Sequence, residues 1–302
     1  MAWRGVWSWW GEAAALLAAL SWAVTGLLVR AQGSGLGAVT ISALRSTIAG
    51  VAFLAVWPLL GEVRPVAPVA LALLVASLVA GLAIGDTLYF AAIPRIGVAR
   101  ALPISMGYPV LTAALAVTLL GEPISPLAGL GMGATLAGVY LVARPEQGQG
   151  AEHGSAGRAY WVGIAMAVAA AVGWSVSAVL LSPALEHVDV WTASAIRAPL
   201  AGLVLWLFAA RAGGLPGRAQ VWGFPLLLIA STGLLNVLAT VLFLASIDSA
   251  GAARAAVLTA TAPVFAVPLA IVVLRERATW QLGLGTACSV AGVAVLTLSK
   301  GA

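Results

Sequence analysis

Charged residues are scarce in this chain of 302 residues. Asp, Glu, Lys and Arg together make up 8% of it, against about 25% in an ordinary soluble domain. Apolar residues make up 62%, and the mean hydropathy is +1.06. This balance excludes a soluble globular domain and indicates a membrane protein. The net charge of +5 comes from only 15 scattered Lys and Arg residues. No run of them could neutralise a row of phosphates, so nucleic acid is not an expected partner.

Cysteine and histidine are almost absent. The single cysteine, Cys288, cannot form an internal disulfide, and the two histidines, His153 and His187, lie in polar connections. These counts exclude a site of several histidines around a metal, and they leave redox chemistry without ligands. No Ser, His and Asp set falls on one face of a predicted helix. We therefore expect no cofactor, no metal and no enzymatic activity.

Long apolar runs fill most of the chain. A helix of about 20 apolar residues crosses the hydrocarbon layer, and cutting the chain at charges, prolines and glycine clusters gives ten such spans. They run approximately over 11–30, 38–60, 68–93, 99–120, 125–143, 160–181, 190–211, 222–247, 252–274 and 279–299. Lipid offers backbone amides no partner, and the Ala, Leu and Gly content does not suit alternating barrel strands. The prediction is an all-α integral membrane protein with ten transmembrane helices.

The two halves of the chain repeat each other. The stretch TISALR, ending at Arg45, returns 152 positions later as TASAIR, ending at Arg197. The predicted organisation is a first five-helix unit over 1–143, a linker over 144–158 and a second unit over 159–302. Five is odd, so the second unit enters the membrane from the opposite side. Such an inverted repeat around a central cavity is typical of secondary transporters, although a duplicated bundle also serves channels and inert scaffolds.

Each half ends in a similar pattern. PVLTAALAVTLLGEPISPLAGLGMGATLAGVYLV starts at Pro109, and PVFAVPLAIVVLRERATWQLGLGTACSVAGVAVL starts at Pro263. A proline-led helix, a short turn carrying Glu and a glycine-spaced final helix resemble the EamA-type repeat of the drug/metabolite transporter superfamily. The resemblance implies ten helices around a central cavity lined mainly by the first, third and fourth helices of each half. It also implies a multi-pass protein of the cell (inner) membrane of bacterial type.

One carboxylate, Asp86, lies inside the third span. That span runs to about Ile93, so at 1.5 Å per residue Asp86 lies about 10 Å inside its end, too deep for a short side chain to reach the headgroups. An acid at this depth indicates a pathway, a proton relay or a counter-ion. It would bind a substrate ammonium or carry a coupling proton, or else form a structural ion pair with Arg95 or Arg100. Its repeat partner is Thr240, at the shift of 154 positions that also relates Pro109 to Pro263, and this asymmetry favours a function performed once.

Aromatic and polar residues accompany this acid at helical spacing. Tyr89 and Phe90 share one stripe with Asp86, and a tryptophan lies near the centre of the first span of each half, where its N–H needs a partner. The predicted substrate-binding residues are Ser21, Trp22, Asp86, Tyr89, Phe90, Tyr108, Trp174, Asn236 and Thr240. Ordinary helix packing is the alternative for rings and small residues at this spacing.

Paired arginines and prolines complete the candidate set. Arg45 and Arg197 lie a short way inside the second span of each half, while Arg100 and Arg254 open the fourth. Because both members of each pair are kept, we expect them to cap helix ends or bind lipid phosphate rather than substrate. Prolines remove helix hydrogen bonds, and the predicted gate hinges are Pro103, Pro109, Pro263 and Pro268.

The sequence therefore predicts a secondary transporter that exports amino acids or similar small metabolites by alternating access, with proton coupling left open. The alternatives are a carrier of a larger organic anion, such as a sugar phosphate or nucleotide sugar, and a channel or scaffold that transports nothing. A phosphate carrier would need several buried cations facing the cavity, so the direction of the paired arginines discriminates between the carriers. The expected partners are a small-molecule substrate and the lipid bilayer, and a monomer is one option for the functional unit.

Overall fold

Ten helices account for most of the described chain. A computed structural model of the protein describes residues 10–32, 36–61, 65–120, 125–144, 155–211, 215, 224–250 and 258–298. The first five helices are α1 (Trp10–Ala31), α2 (Ala38–Leu60), α3 (Pro68–Ile96), α4 (Val98–Ser105 continued by Tyr108–Leu120) and α5 (Pro126–Ala143). The second five are α6 (Ser155–Ala184), α7 (Val190–Arg211), α8 (Phe224–Ala250), α9 (Ala262–Leu274) and α10 (Trp280–Leu298).

These helices fall on the ten spans that the sequence predicts, and the prediction of an all-α membrane fold is confirmed. By length and composition, eight helical segments could cross a membrane, and the segments Ala262–Leu274 and Trp280–Val295 are shorter apolar helices. The predicted start of the ninth span at 252 lies outside the described residues. Most span ends agree within a few residues because charges, glycines and prolines end both the apolar runs and the helices.

Equivalent helices of the two halves pack antiparallel, which demonstrates the inverted repeat. In the α2–α7 pair, Gly50 lies against Pro199 and Thr47 against Gly202. Residue numbers that increase along α2 therefore face residue numbers that decrease along α7. The α5–α10 pair follows the same rule, since Gly138 faces Gly285 while residue 131 faces residue 292. The remaining contacts obey the same two-fold relation: α1 packs on α8 as α6 packs on α3, and α1 packs on α9 as α6 packs on α4.

Glycines at positions 138 and 292 allow the two closest of these contacts. A Cβ atom built on Gly138 would lie 2.4 Å from the backbone nitrogen of Ser289, a distance that no side chain could occupy. Small residues at such positions let two membrane helices approach backbone to backbone, where van der Waals contact replaces the missing hydrophobic driving force. The two halves are thus held together along α5 and α10, away from the polar interior.

Two helices differ from the uninterrupted spans that the sequence predicts. Helix α4 breaks at Met106 and Gly107, because Pro109 carries no backbone N–H and cannot bond to the carbonyl of Ser105. Helix α3 contains a π-helical segment, Val79–Gly85, whose wider turns end with the N–H of Asp86 bonded to the carbonyl of Gly81. Such segments shift the angular position of every following side chain and are frequent at functional sites. Both irregularities lie where the helices face the centre of the molecule.

Candidate functional site

A cavity of about 570 Å³ lies between the two halves. Its volume falls within the range of about 300–1,000 Å³ that small-molecule sites occupy. Its wall combines charged, hydroxyl and aromatic side chains from both halves, including Trp22, Thr25, Arg45, Asp86, Tyr89, Phe90, Tyr108, Thr112, Trp174, Ser177, Arg197, Asn236 and Phe243. The first, third and fourth helices of the first half and the equivalent region of the second half contribute to it, as the family resemblance implies. The second helices, α2 and α7, add one arginine each.

Asp86 stands on this wall and is held from both halves of the molecule. Its Oδ2 atom accepts a hydrogen bond from Nη1 of Arg45 on α2 at 3.3 Å, and its Oδ1 atom accepts one from Nε1 of Trp174 on α6 at 2.9 Å. The π-helical segment ends immediately before Asp86 and therefore sets the direction of the carboxylate. Each carboxylate oxygen thus has a donor, and the charge is neutralised by a guanidinium.

The ion pair of Asp86 differs from the one that the sequence suggests. We predicted Arg95 or Arg100 as the structural partner, but the carboxylate pairs with Arg45. Arg95 donates instead to the carbonyl of Ala91, one turn back on its own helix. The reason is geometric: Arg95 follows Asp86 by two and a half turns and lies near the helix end, whereas Arg45 reaches the acid from a neighbouring helix.

Arg45 is fixed in place on two sides. Besides its bond to Asp86, its guanidinium lies over the ring of Phe90, with Cζ 4.5 Å from the ring centroid, a favourable cation–π geometry. Its side chain is only 7% exposed, and its Nε atom is buried without a hydrogen-bond partner among the described residues. Arg45 is therefore a cavity residue, and the prediction that it caps a helix end or binds lipid phosphate is wrong.

Arg197 occupies the equivalent position in the second half, and the same prediction is wrong for it. Its Nη2 atom donates to Oγ of Ser177 at 3.1 Å, and Ser177 lies 3.0 Å from the hydroxyl of Ser77. Its Nε atom is buried without a hydrogen-bond partner in the described part of the chain. Within that part, the ion pair formed at this site joins Arg45 and Asp86, whereas Arg197 donates to a hydroxyl and interacts with the charge of Asp86 at longer range. Arg254, of the other predicted pair, lies outside the described residues.

Aromatic rings cover much of the remaining wall. Trp174 packs against Tyr89, with ring centroids 5.5 Å apart, and edge-on against Tyr108 at 6.2 Å. On the opposite side of the two-fold relation, Trp22 packs against Phe243 at 6.0 Å. Such rings offer apolar faces to a bound solute, while the Trp174 N–H is already used by Asp86.

Gly85 allows Trp174 to reach the acid. A Cβ atom built on Gly85 would lie 2.7 Å from Cδ1 and 2.9 Å from Nε1 of Trp174, so any larger residue would push the indole away. The glycine lies one position before Asp86, at the end of the π-helical segment. Close approach of the ring and its hydrogen bond to the carboxylate therefore depend on the same short stretch of α3.

Most of the predicted substrate-binding residues lie on the cavity wall. Those on the wall are Trp22, Asp86, Tyr89, Phe90, Tyr108, Trp174 and Asn236, together with the predicted hinge Pro109. Ser21 and Thr240 lie outside the wall, and each hydroxyl donates at 2.8 Å to a carbonyl one turn back on its own helix, Leu17 and Asn236 respectively. The other predicted hinges, Pro103, Pro263 and Pro268, also lie off the wall, and their part in gating stays a prediction.

Sequence reasoning missed several wall residues. Arg45 and Arg197 were assigned to the membrane boundary, and Ser177, Thr112 and Thr25 were not selected. An intramembrane arginine within a run of small residues is itself a sign of a pathway, and that sign was available in TISALR and TASAIR. The hydroxyl residues carry no comparable signal, because Ser and Thr are common throughout membrane helices.

A mainly apolar cavity that carries a few charged and hydroxyl side chains and lies between two oppositely threaded five-helix units is the architecture of a membrane transporter. The comparisons with known proteins agree. The chain belongs to the EamA-like transporter family, which matches residues 9–144 and 161–298, once in each half. The resemblance predicted from the sequence is therefore confirmed.

Two similar proteins place this assignment in context. A protein of Archaeoglobus fulgidus named as an uncharacterized transporter is 27% identical over 287 residues, which is 94% of both chains. One protein of known crystal structure is 21% identical, with 96% of both chains covered and a TM-score of 0.66. That structure shares the fold. The protein is thus a multi-pass membrane transporter of the EamA-like family.

Proposed function

We propose that this protein exports small carboxylate-bearing metabolites, such as amino acids or monocarboxylates, across the cell (inner) membrane by alternating access. The observation that carries the proposal is the central cavity, where two guanidinium groups, one carboxylate and several aromatic rings from both halves meet. A guanidinium presents paired donors to a carboxylate. The rings offer apolar surface to the rest of a small solute.

The contacts across the cavity support a change of access. Asp86 on the first half accepts the indole N–H of Trp174 on the second half, and Ser77 bonds to Ser177 across the same boundary. Movement of one half against the other must break or remake such bonds, so a solute that competes for them would bias the movement. We therefore expect solute binding to change the relative stability of the two access states.

Proton coupling forms part of the proposal. Asp86 is the acid on the described cavity wall, and its protonation would remove the charge that holds Arg45 and would weaken the bond from Trp174. Protonation of Asp86 would also make the cavity wall more positive, so a proton would change the binding of a substrate anion. The expected consequence is a transport rate that responds to a pH gradient.

A second candidate is a carrier of a larger organic anion, such as a sugar phosphate or nucleotide sugar. The observation that favours it is the inward position of both Arg45 and Arg197. Asp86 neutralises one of them, however, and a phosphate dianion requires more positive charge than the one guanidinium that is left. We therefore rank carboxylates first.

Transport into proteoliposomes tests the proposal. The full chain is reconstituted, and counterflow is measured with a panel of radiolabelled amino acids, monocarboxylates and hexose phosphates, with and without a pH gradient. Saturable counterflow of at least one small carboxylate is expected, and its absence for the whole panel would contradict the proposal.

A matched pair of variants ties the transport to the cavity. Ala178 lies on the cavity wall, so Ala178→Trp should fill the space and reduce transport about tenfold or more, which corresponds to about 1.4 kcal/mol. Val172 on the same helix is 46% exposed on the outer surface, and Val172→Trp should leave transport within about twofold, since surface substitutions have small effects. Equal effects of the two variants would place the pathway elsewhere.

A further inference from the structure

The charges on the cavity wall do not balance. Two guanidinium groups, those of Arg45 and Arg197, face one carboxylate, that of Asp86, among the described wall residues. The carboxylate forms its ion pair with Arg45 and takes its second hydrogen bond from Trp174. One net positive charge therefore remains, and it belongs to Arg197.

We infer that Asp86 acts as a built-in counter-ion which sets the charge of the solute that the cavity accepts, so that the site selects solutes with a single negative charge, bound by Arg197. This inference rests on the proposed function and refines it. Asp86 occupies the position of a substrate carboxylate at Arg45 and leaves Arg197 for the solute. The selected class is small monocarboxylates with an apolar or aromatic body.

Arg197 is built to bind an anion. Its Nη2 atom is anchored by Ser177, which is itself held by Ser77, so the guanidinium is oriented before a solute arrives. A guanidinium has five N–H donors, and Ser177 uses one of them. The Nε donor of Arg197 is buried without a hydrogen-bond partner among the described residues, as is that of Arg45, so the distinction between the two arginines comes from the ion pair of Arg45 with Asp86.

Arg45 cannot serve a solute in the same way. The ring of Phe90 lies under its guanidinium at 4.5 Å, and Asp86 holds Nη1. A solute anion that used Arg45 would have to displace a carboxylate already in place. The two arginines therefore have different tasks, although the duplication gives them equivalent positions.

The occupied carboxylate also disfavours cationic solutes. Both oxygens of Asp86 accept hydrogen bonds from side chains of the protein, so a substrate ammonium would have to replace a guanidinium or an indole N–H. An ammonium would in addition meet the uncompensated charge of Arg197. The inference therefore assigns Asp86 the role of a counter-ion in place of a site for a substrate ammonium.

Ring-matched probes test the inference by binding. The purified full chain in detergent is titrated with 3-phenylpropanoate (charge −1), phenylsuccinate (−2), phenylalanine (0) and phenylalaninamide (+1), and the apparent Kd is obtained from thermal stabilisation. The wild-type chain should bind 3-phenylpropanoate most tightly of the four. Tightest binding of phenylalanine, phenylalaninamide or phenylsuccinate by the wild-type chain would overturn the inference.

Charge-changing variants should move the preference in opposite directions. Asp86→Asn leaves two positive charges and should shift the ratio of the two Kd values, phenylsuccinate against 3-phenylpropanoate, about tenfold towards the dianion. Arg197→Gln leaves none and should weaken binding of 3-phenylpropanoate about tenfold or more. Arg211→Gln, at the exposed end of the same helix, is the matched control and should change neither value.

A double variant separates charge from local structure. Arg45→Gln combined with Asp86→Asn removes the pair together, restores a single positive charge at Arg197 and should restore the preference for the monoanion. It also keeps the test decisive if Asp86→Asn alone does not fold. An unchanged Kd ratio in Asp86→Asn, a dianion preference in the double variant or unchanged binding in Arg197→Gln would each overturn the inference. Binding is measured without transport, so a protein that shows these shifts but carries no solute would refute the proposed function alone.

Discussion

Arg45 and Arg197 are the same residue at equivalent positions of a duplicated unit, yet their surroundings differ. Arg45 is paired with a carboxylate and stacked on a ring, whereas Arg197 is held by a serine hydroxyl. The difference originates on the third helix of each half, where the first half has Asp86 and the second has Thr240 at the corresponding position. Thr240 carries no charge and donates its hydroxyl to its own helix, so among the described residues Arg197 forms no direct ion pair.

The comparison separates the features that maintain the helix packing from the features that shape the cavity. Features kept in both halves, such as the close packing of α2 on α7 and of α5 on α10, maintain the two-fold architecture. Features found in one half, such as Asp86 and the π-helical segment before it, make the two sides of the cavity different and set the net charge of its wall. The duplication thus supplies an arginine to each side of the cavity, and the departure from it at Asp86 gives the two arginines different surroundings.

The largest expected difference between the halves is in stability. Arg45→Ala leaves the Asp86 carboxylate without its ion pair, and breaking a buried pair on one side costs about 3–5 kcal/mol; the cavity exposes 20% of the Asp86 side chain, so the lower end of that range is expected. Arg197→Ala removes a hydrogen bond to a neutral hydroxyl and should cost about 1 kcal/mol. The free energy of unfolding in mixed micelles, measured by titration with sodium dodecyl sulfate, distinguishes them. Equal losses of unfolding free energy in the two variants would contradict this difference and show that the two arginines contribute equally to stability.

A smaller difference is expected for the paired tryptophans. Trp174→Phe keeps a ring but removes the N–H that Asp86 accepts, and a hydrogen bond to a charged group contributes about 1.5–3 kcal/mol. Trp22 makes a ring contact with Phe243, which Phe preserves in part, so Trp22→Phe should cost about 1 kcal/mol or less. The same unfolding measurement applies to both variants. A larger loss for Trp22→Phe would contradict the assigned role of the indole of Trp174.

The sequence was sufficient for the architecture because a membrane restricts the choices. Apolar runs can only be helices, the matching stretches around Arg45 and Arg197 establish the repeat, and an odd number of spans forces the inversion. Asp86 was also identifiable, since an acid so far inside an apolar helix has a free-energy cost that a functional role would explain. The stripe of Asp86, Tyr89 and Phe90 follows from helical spacing, and all three residues lie on the wall.

The pairing inside the site could not be predicted in the same way. Arg45 lies 41 positions before Asp86, and only the packing of α2 against α3 brings them together, whereas Arg95 was nearer in sequence and pointed elsewhere. The π-helical segment Val79–Gly85 has no proline or other local mark, yet it changes the direction of every side chain after it. Thr240 was selected by spacing alone, and a hydroxyl can satisfy itself on its own helix.

The central claim is that the cavity between the halves is the transport pathway. The most direct test is to measure whether the cavity is accessible to water from each face of the membrane. Cys288 is the single cysteine, so Cys288→Ala supplies a background in which Ala178→Cys places a thiol on the wall and Val172→Cys places one on the outer surface of the same helix. We predict that a membrane-impermeant thiol reagent labels the thiol at 178 from both faces of oriented vesicles, that 3-phenylpropanoate slows this labelling, and that the thiol at 172 stays unlabelled. The account would be contradicted if, in vesicles that still transport, the reagent failed to label position 178 from one face or from both.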